Sequence, residues 1–348
     1  MKRSCIALAL AVCLAVSSSA ATVTLMTYNV ENLFDDVRDG TEYREFDPGT
    51  GKWNAEFFKV RIETIGEVVR KAIAGGPDIL LLQEVENENT LKALVQQGFK
   101  GMGYAAQVLV PKKKLSANVA IVSRLAITRV RSHAVPPWRG DTPVRDIIEA
   151  EIQVSGHTLY VLNNHWKSKT EGVKATEASR REAASVLARR IREILTQDPA
   201  ADIIAAGDMN ESIDEYGRVG GRYQTALLPE NQNVPKLIAD RSIFLSANIR
   251  GLEARGERCM LYDPWYEIEE SRRGSYFYQG EWLTVDHMLL SAGLFDMNGF
   301  SYQRESFAPV RLPFLLTAKG APRKWTGLAG DRGYSDHLPL LLTLNVRK

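Results

Sequence analysis

The chain has 348 residues, with 44 Lys and Arg against 42 Asp and Glu, and three cysteines. A formal charge of only +2 excludes long-range attraction by the whole molecule as the way to hold a polyanion; local patches would have to do it. Two of the cysteines, Cys5 and Cys13, lie in the first twenty residues and leave Cys259 alone after them. That excludes a disulfide framework, so the fold must be held by its core.

The chain opens MKRSCIALALAVCLAVSSSA, with Lys2-Arg3, an apolar stretch from Ile6 to Val16 and small residues up to Ala20. This is the pattern of a secretory signal peptide cleaved after Ala20. A buried N-terminal helix is the weaker alternative, and a lipoprotein signal ending at Cys13 is disfavoured by bulky Val12 just before it. The apolar stretch is short of the roughly 20 residues that span a bilayer, and no later run is longer. The expectation is a secreted or periplasmic protein, residues 21–348 forming one domain, without stable membrane insertion or any feature that demands an obligate protein partner. Loss of Lys2 and Arg3 leaves 42 basic residues against 42 acidic ones.

In chain order, TVTLMTY (22–28) reads as a strand running into Asn29. A helix follows: Phe58, Ile62, Ile65, Val69 and Ile73 share one face, Asn54 is its N-cap and Gly75-Gly76-Pro77 its stop. DILLLQE (78–84) is a second strand, ending at Gln83-Glu84, and a short helix is predicted over 89–97. NVAIVS (118–123), RDIIEAEIQV (145–154) and TLYVLNN (158–164) follow as strands, the last running into His165. A second long helix is predicted over 174–196 with Leu187, Ile191, Ile194 and Leu195 inward. DIIAAGD (202–208) then ends in Asp208-Met209-Asn210. Residues 211–280, rich in Gly, Arg and Tyr and weakly periodic, are expected to be long excursions over one rim. TVDHMLLS (284–291) and LPLLLTLNV (338–346) are the last two strands.

Strands outnumber helices, and the strict alternation of a doubly wound parallel sheet is missing. The predicted fold is an α/β sandwich in four layers, α/β/β/α, with two mixed β-sheets face to face and helices outside. Four strands end in polar groups, whereas Asp286-His287 and Ser335-Asp336-His337 precede the last two. If those two strands run antiparallel to the others, all six polar clusters meet at one rim. Glu84, Asp208, Asp286 and Asp336 would then repel one another unless protons or a metal neutralised them. An all-oxygen set without cysteine favours Mg²⁺ or Mn²⁺ over zinc.

Such an inventory suits phosphoester hydrolysis. One acid–base group supplies only about 10²–10⁴-fold, so a slow phosphodiester needs a divalent ion that neutralises phosphate oxygens together with an oriented base. Asn29 and Asn210 can position water or phosphate without adding charge, and histidines supply proton transfer or an imidazolium contact.

MTYNVENLF, LLQEVEN, NNHWKSK, AAGDMNE, GSYFYQGEWLTVDHMLLS and YSDHLPL, spread from residue 22 to 346, resemble the ordered motifs of the endonuclease/exonuclease/phosphatase superfamily. The resemblance is to its secreted bacterial nucleases, relatives of pancreatic-type deoxyribonuclease and abasic-site endonuclease. It implies the deoxyribonuclease I-like sandwich, a Mg²⁺ or Mn²⁺ cofactor, a nucleic acid substrate with DNA first, and roles for single residues. Glu84 matches the main metal carboxylate, helped by Asn29 and Asp336. Asp208 matches the acid that activates or aligns water, with Asn210 holding that water or a phosphate oxygen. His337 matches the imidazole facing the phosphate, oriented by Asp286, and His165 the second histidine of the deoxyribonuclease-like branch. Arg145 stands where that branch has a phosphate-contacting arginine. The glutamate that pairs with the second histidine in pancreatic-type enzymes is not identified in this sequence, which also lacks their cysteines and obvious calcium loops.

Several residues admit two readings. Lys167 and Lys169 grip phosphates or line a solvated loop, and the lysines at 112–114 do likewise. Arg180-Arg181 and Arg189-Arg190-Arg192 form the outer face of the second helix. Tyr276, Phe277, Tyr278 and Trp282 stack on bases or pack in the core. His133 and His157 are structural, and alternation turns His287 away from the face that carries Asp286. The rival functions are hydrolysis of a lipid or sugar phosphoester at the same site, or a catalytically silent binding module on this scaffold.

Overall fold

The structure, a computed structural model, describes residues 21–347 except 41, 113–114, 139–143, 254–257 and 329–331. The expected signal segment and two of the three clustered lysines therefore lie outside the described residues. The strands are, in chain order, β1 (Ala21–Leu33), β2 (Ile79–Val85), β3 (Ala106–Leu109), β4 (Asn118–Ser123), β5 (Ala126–His133), β6 (Ile147–Val154), β7 (His157–His165), β8 (Asp202–Asp208), β9 (Leu227–Pro229), β10 (Ile243–Ser246), β11 (Cys259–Tyr262), β12 (Tyr276–Tyr278), β13 (Glu281–Leu283), β14 (Asp286–Leu290), β15 (Phe300–Tyr302), β16 (Ala308–Pro309) and β17 (Leu340–Val346). One sheet has the order β15-β17-β1-β2-β4-β3 with β16 beside β17, and the other β5-β6-β7-β8-β14-β11-β10-β9.

Residue alternation explains how the first sheet is buried on both faces. Val23, Leu25, Ile79, Leu81, Val119 and Ile121 face the second sheet, where they join Ile204, Ala206, Val161 and Met288 in the main core. Their neighbours Met26, Tyr28, Leu80, Leu82, Ala120 and Val122 face outward onto Ile62, Ile65, Val68 and Val69 of helix α1 (Ala55–Ala72). Asn54 caps α1 as predicted, accepting from the Glu56 and Phe57 amides. Helix α2 (Glu88–Ala93) runs into a π turn over Leu94–Gly98, together covering the predicted short helix. Helix α3 (Val173–Gln197) contributes Ala183, Ala184, Leu187 and Ile191 to the core. The result is the predicted sandwich of two mixed sheets flanked by helices.

Two expectations fail. Residues 211–280 are not merely excursions: β9, β10 and β11 pair in parallel and extend the second sheet beyond β14. Strands of three or four residues are too short to show a period. Arg180 is fully buried on α3, donating to Glu177, to Glu211 and to the Val173 carbonyl. A buried guanidinium is tolerated when its donors are filled this way, and α3 spacing alone does not reveal that. Among the described residues no helix is long and apolar enough to cross a membrane.

Candidate active site

Strand direction brings the polar ends together. β1 and β2 are parallel, as are β7 and β8, while β17 and β14 run antiparallel to them. In the second sheet Asp208 is in register with His165 on one side and Asp286 on the other, so three neighbouring strands present their reactive groups from one face. Placing two carboxylates directly opposite each other costs stability in an ordinary sheet.

The two sheets are held in relative register by amides just inside this rim. Asn163 of β7 donates to the carbonyls of Leu82 (3.0 Å) and Ala120 (2.8 Å) in the other sheet and accepts from Gln83 at 2.7 Å. Buried polar groups fully paired in this way fix one arrangement. Gly207 has φ +123°, and a Cβ there would lie 2.0 Å from the Asn164 carbonyl oxygen. No larger residue fits between β7 and β8 at that point.

β1 ends in a bulge whose register shifts between Asn29 and Leu33, with Glu31 and Asn32 at φ 51° and 61°. That left-handed pair turns the Asn32 amide onto Glu84 Oε2 (2.8 Å), a concave arrangement of N–H groups suited to an anion. Arg61 of α1, fully buried, braces the bulge by donating to the carbonyls of Val30, Glu31 and Tyr334. Glu84, at φ 68°, also accepts from Asn29 Nδ2 at 3.1 Å, and the same Nδ2 donates to Asp208 Oδ2 at 3.0 Å. Asn29 thus joins the acids of the two sheets.

Asp208 Oδ1 accepts from the Asn210 amide at 2.9 Å, and Asn210, at φ 50°, donates its side chain to the Trp166 carbonyl. Across the rim, His337 Nδ1 meets Asp286 Oδ2 at 2.8 Å, and Ser275 Oγ donates to the same oxygen at 2.5 Å. That leaves His337 Nε2 facing inward, 3.9 Å from both Asp208 Oδ2 and Asp336 Oδ1. His165 Nε2 lies 3.6 Å from Glu84 Oε1 and 3.6 Å from Asp208 Oδ2, whereas its Nδ1 is buried without a hydrogen-bond partner. Among the described residues no glutamate pairs with that Nδ1.

The electrostatics follow from this crowding. Burial pushes the Asp208 carboxyl up to about 7, with Asp286 adding to it and His337 opposing. Burial and Asp336 push Glu31 up to about 8. Glu84 is raised by burial and by Asp336, against the Arg145 guanidinium. Burial and Arg145 hold His165 well below the usual imidazole range. Burial also disfavours charge on His337, but Asp286, Asp208 and Asp336 outweigh it and lift His337 well above that range. The two imidazoles are thus shifted in opposite directions.

Of the sequence-predicted residues, Asn29, Glu84, His165, Asp208, Asn210, Asp286, Asp336 and His337 meet at this rim. Arg145 donates Nε to the Ala117 carbonyl, and its charge acts on Glu84 and His165. Lys167 is held by Glu171 (2.8 Å) and Lys169 by Glu215. His287 faces away as alternation requires, fully buried between Asp263 and the Glu211 carbonyl, and His133 pairs with Glu149. Sequence reasoning overlooked Glu31, which accepts from the Asp336 and Trp325 amides, and Ser275. Glu31 sits inside the NVENLF motif, yet only the bulge turns it inward.

Hard oxygen donors with more negative charge than their cationic neighbours balance are what a divalent ion requires. Glu84, whose proton affinity burial and Asp336 raise, is a donor of this kind, whereas Asn29 turns Nδ2 toward Glu84 and Asp208 and keeps Oδ1 on the Glu31 amide. Asp208, Asp286 and His337 also bring one ligand atom each within 4.8 Å of the others, but the Asp286–His337 hydrogen bond makes that pair an acid–imidazole dyad.

The fold has solved counterparts. Danio rerio TDP2 complexed with a single-strand DNA product superposes with a TM-score of 0.54 at 15% identity, covering 94% of this chain and 100% of that one. An endonuclease/exonuclease/phosphatase family protein from Bacteroides thetaiotaomicron gives 0.54 at 15% identity, over 95% and 97% of the two chains. The human nocturnin catalytic domain with bound sulfate gives 0.52 at 14% identity, over 93% and 94%. No curated protein matches the chain by sequence. The sequence model of the Endonuclease/Exonuclease/phosphatase family matches residues 24–218, more than half of the chain and the stretch that carries Asn29, Glu84, His165, Asp208 and Asn210. The chain belongs to this family of phosphoester hydrolases.

Proposed function

We propose that the chain is a divalent-metal-dependent phosphodiesterase that cuts nucleic acid, DNA first and RNA second, outside the cytoplasm. The observation that carries the reading is the convergence across one rim of the Asp208 carboxylate and the Asp286-held imidazole of His337, 3.9 Å apart and both raised in proton affinity. The signal-like first twenty residues support the location.

Mg²⁺ or Mn²⁺ held by Glu84 and Asp336, with the Asn29 amide beside Glu84, would supply charge neutralisation at the phosphate and at the leaving oxygen. Asp208 accepts the proton of the attacking water, and Asn210 orients that water or a phosphate oxygen. His337, fixed through Nδ1 by Asp286, directs its Nε2 proton at a non-bridging oxygen as negative charge grows there. Arg145 adds a positive charge on the same side, while neutral His165 donates or accepts a hydrogen bond without competing for the ion.

Preference for a nucleic acid over a lipid or sugar phosphoester is supported by aromatic rings beside the dyad. Tyr276 lies over His337 at 4.7 Å between centroids, and Tyr278, 53% exposed, stacks parallel to Tyr276 at 6.3 Å. Such a ladder offers π-faces to successive bases whatever their sequence. The complex of TDP2 with a DNA product agrees with this reading. The test is cleavage by the mature protein of supercoiled plasmid, RNA and a phospholipid side by side, with Mg²⁺, Mn²⁺ or chelator. Nicking that requires the divalent ion is expected. Turnover of phospholipid or an inositol phosphate well above DNA would move the assignment to those substrates, and no turnover of anything would leave only a binding module.

A further inference from the structure

Beyond the catalytic rim a second group of acids closes on itself. One carboxylate oxygen from each of Asp39, Glu42 and Glu86 lies within 4.8 Å of the other two. Asp39 and Glu42 come from the connection between β1 and α1, and Glu86 follows the last residue of β2. We infer that these three carboxylates form a second cation site, taking a hard divalent ion of calcium's type that fastens the β1–α1 connection to the end of β2.

The independent observation is Glu86 itself. Its side chain is only 2% exposed, and Oε1 is buried with no hydrogen-bond donor in reach. The other oxygen is fixed by the Asp35 amide at 2.8 Å, which turns the carboxylate into the cluster. A buried carboxylate oxygen without a donor is costly, and a cation relieves it. Of the basic residues in the same connection, Arg38 is engaged elsewhere, 3.2 Å from Asp47. Glu42 is held in place by the backbone amides of Asp39 and Gly40, and its Oε2, with the Gly40 amide on it, keeps a lone pair for an ion.

The three oxygens lie close enough to share one ion. Calcium accepts six to eight oxygens in loose geometry, with water in the remaining places, which suits three carboxylates from two separate segments. Asp39 is exposed, so ion and water reach the site from solvent. The segment to be fastened is substantial: Phe34, Tyr43, Phe46, Trp53 and Phe57 form a continuous aromatic stack behind the cluster, and Trp53 donates to the Asp35 carbonyl at 2.7 Å. Glu86 is two residues from Glu84, so the ion would also steady the strand end that carries the catalytic carboxylate.

The test uses the chelated mature protein titrated with Ca²⁺ in a calorimeter and by thermal melting. Wild type and Glu84→Gln are both expected to bind one Ca²⁺ at this cluster, with the midpoint raised by roughly 5 °C at one hundred times the dissociation constant. The double variant Asp39→Asn, Glu42→Gln should lose both heat and shift. Should it fail to fold, the exposed Asp39→Asn change alone should weaken binding by about tenfold. Undiminished Ca²⁺ binding in the cluster variants, or no Ca²⁺ binding in Glu84→Gln, overturns the site; an equal shift with Mg²⁺ in Glu84→Gln overturns its assignment to calcium.

Discussion

Glu149 on β6 and Asp208 on β8 are both buried acids in the same sheet, yet their surroundings pull them in opposite directions. Glu149 receives two hydrogen bonds from Arg190 (2.6 and 2.9 Å), one from Arg131 (2.6 Å) and one contact from His133 (2.7 Å). Burial opposes its ionisation, but Arg190 and His133 outweigh burial and hold the carboxyl at about 2. Asp208 has Glu84 and Asp286 beside it and is pushed up to about 7. The first cluster is electrostatically complete without any ligand. The second is complete only when something positive arrives, which is how a binding site differs from a structural ion network made of the same residue types.

The comparison can be broken most directly at the rim. Asp208→Asn and His337→Ala should each lower kcat for plasmid nicking by about 10³-fold, with the chelated Asp208→Asn protein at least as heat-stable as wild type. A rate within tenfold of wild type in either variant removes the assigned role. On the other side, Glu149→Gln should cost about 3 kcal/mol of stability in urea unfolding because it removes the fully buried carboxylate that Arg131, His133 and half-buried Arg190 share. Activity per folded molecule should stay within twofold, and a larger loss would tie this cluster to catalysis.

A smaller effect separates the two regions by pH. Asp208 and Glu31 bind a proton more tightly folded than unfolded, since their usual values are 3.8 and 4.5 and the folded ones about 7 and 8. Their contribution is full below pH 4 and is lost as pH rises towards 8. Glu149 works the other way, its contribution present above 4.5 and lost as pH falls towards 2. Urea midpoints of chelated protein should therefore decline between pH 5 and 8, and Mg²⁺ should flatten that decline while leaving the acid limb unchanged. A flat profile in chelator would contradict the charge crowding. The smallest expected change is Tyr278→Ala, which should raise KM for a single-stranded oligonucleotide by about fivefold while a small base-free phosphodiester is hydrolysed as before. Equal losses on both substrates would make Tyr278 a packing residue.

Much of this was legible in the chain. The six polar strand ends, the two reversed strands and the long helices were all visible as runs of apolar residues with acids or amides at one end, because strands buried on both faces show near-continuous hydrophobicity. What was hidden depends on backbone geometry or on short elements. Glu31 enters the site only because Glu31 and Asn32 adopt left-handed conformations, unusual for residues with a Cβ. The strands β9 to β11 are too brief for a period to register. Arg180 reads as a surface cation until Glu177 and Glu211 are seen folded around it. The 39–42–86 cluster joins residues more than forty positions apart, without the compact loop signature by which calcium sites are usually recognised.

Gly207, in the middle of AAGDMN, touches no substrate and carries no reactive atom. Yet with the Asn164 carbonyl 2.0 Å from where a methyl would sit, even alanine would wedge the two central strands apart beside the aspartate. A survey of replaceable positions ranked by chemistry alone would pass over it, although its emptiness sets the spacing on which the proton transfer proposed for Asp208 depends. Redesign for another phosphoester has freedom in the aromatic hairpin and very little in this gap.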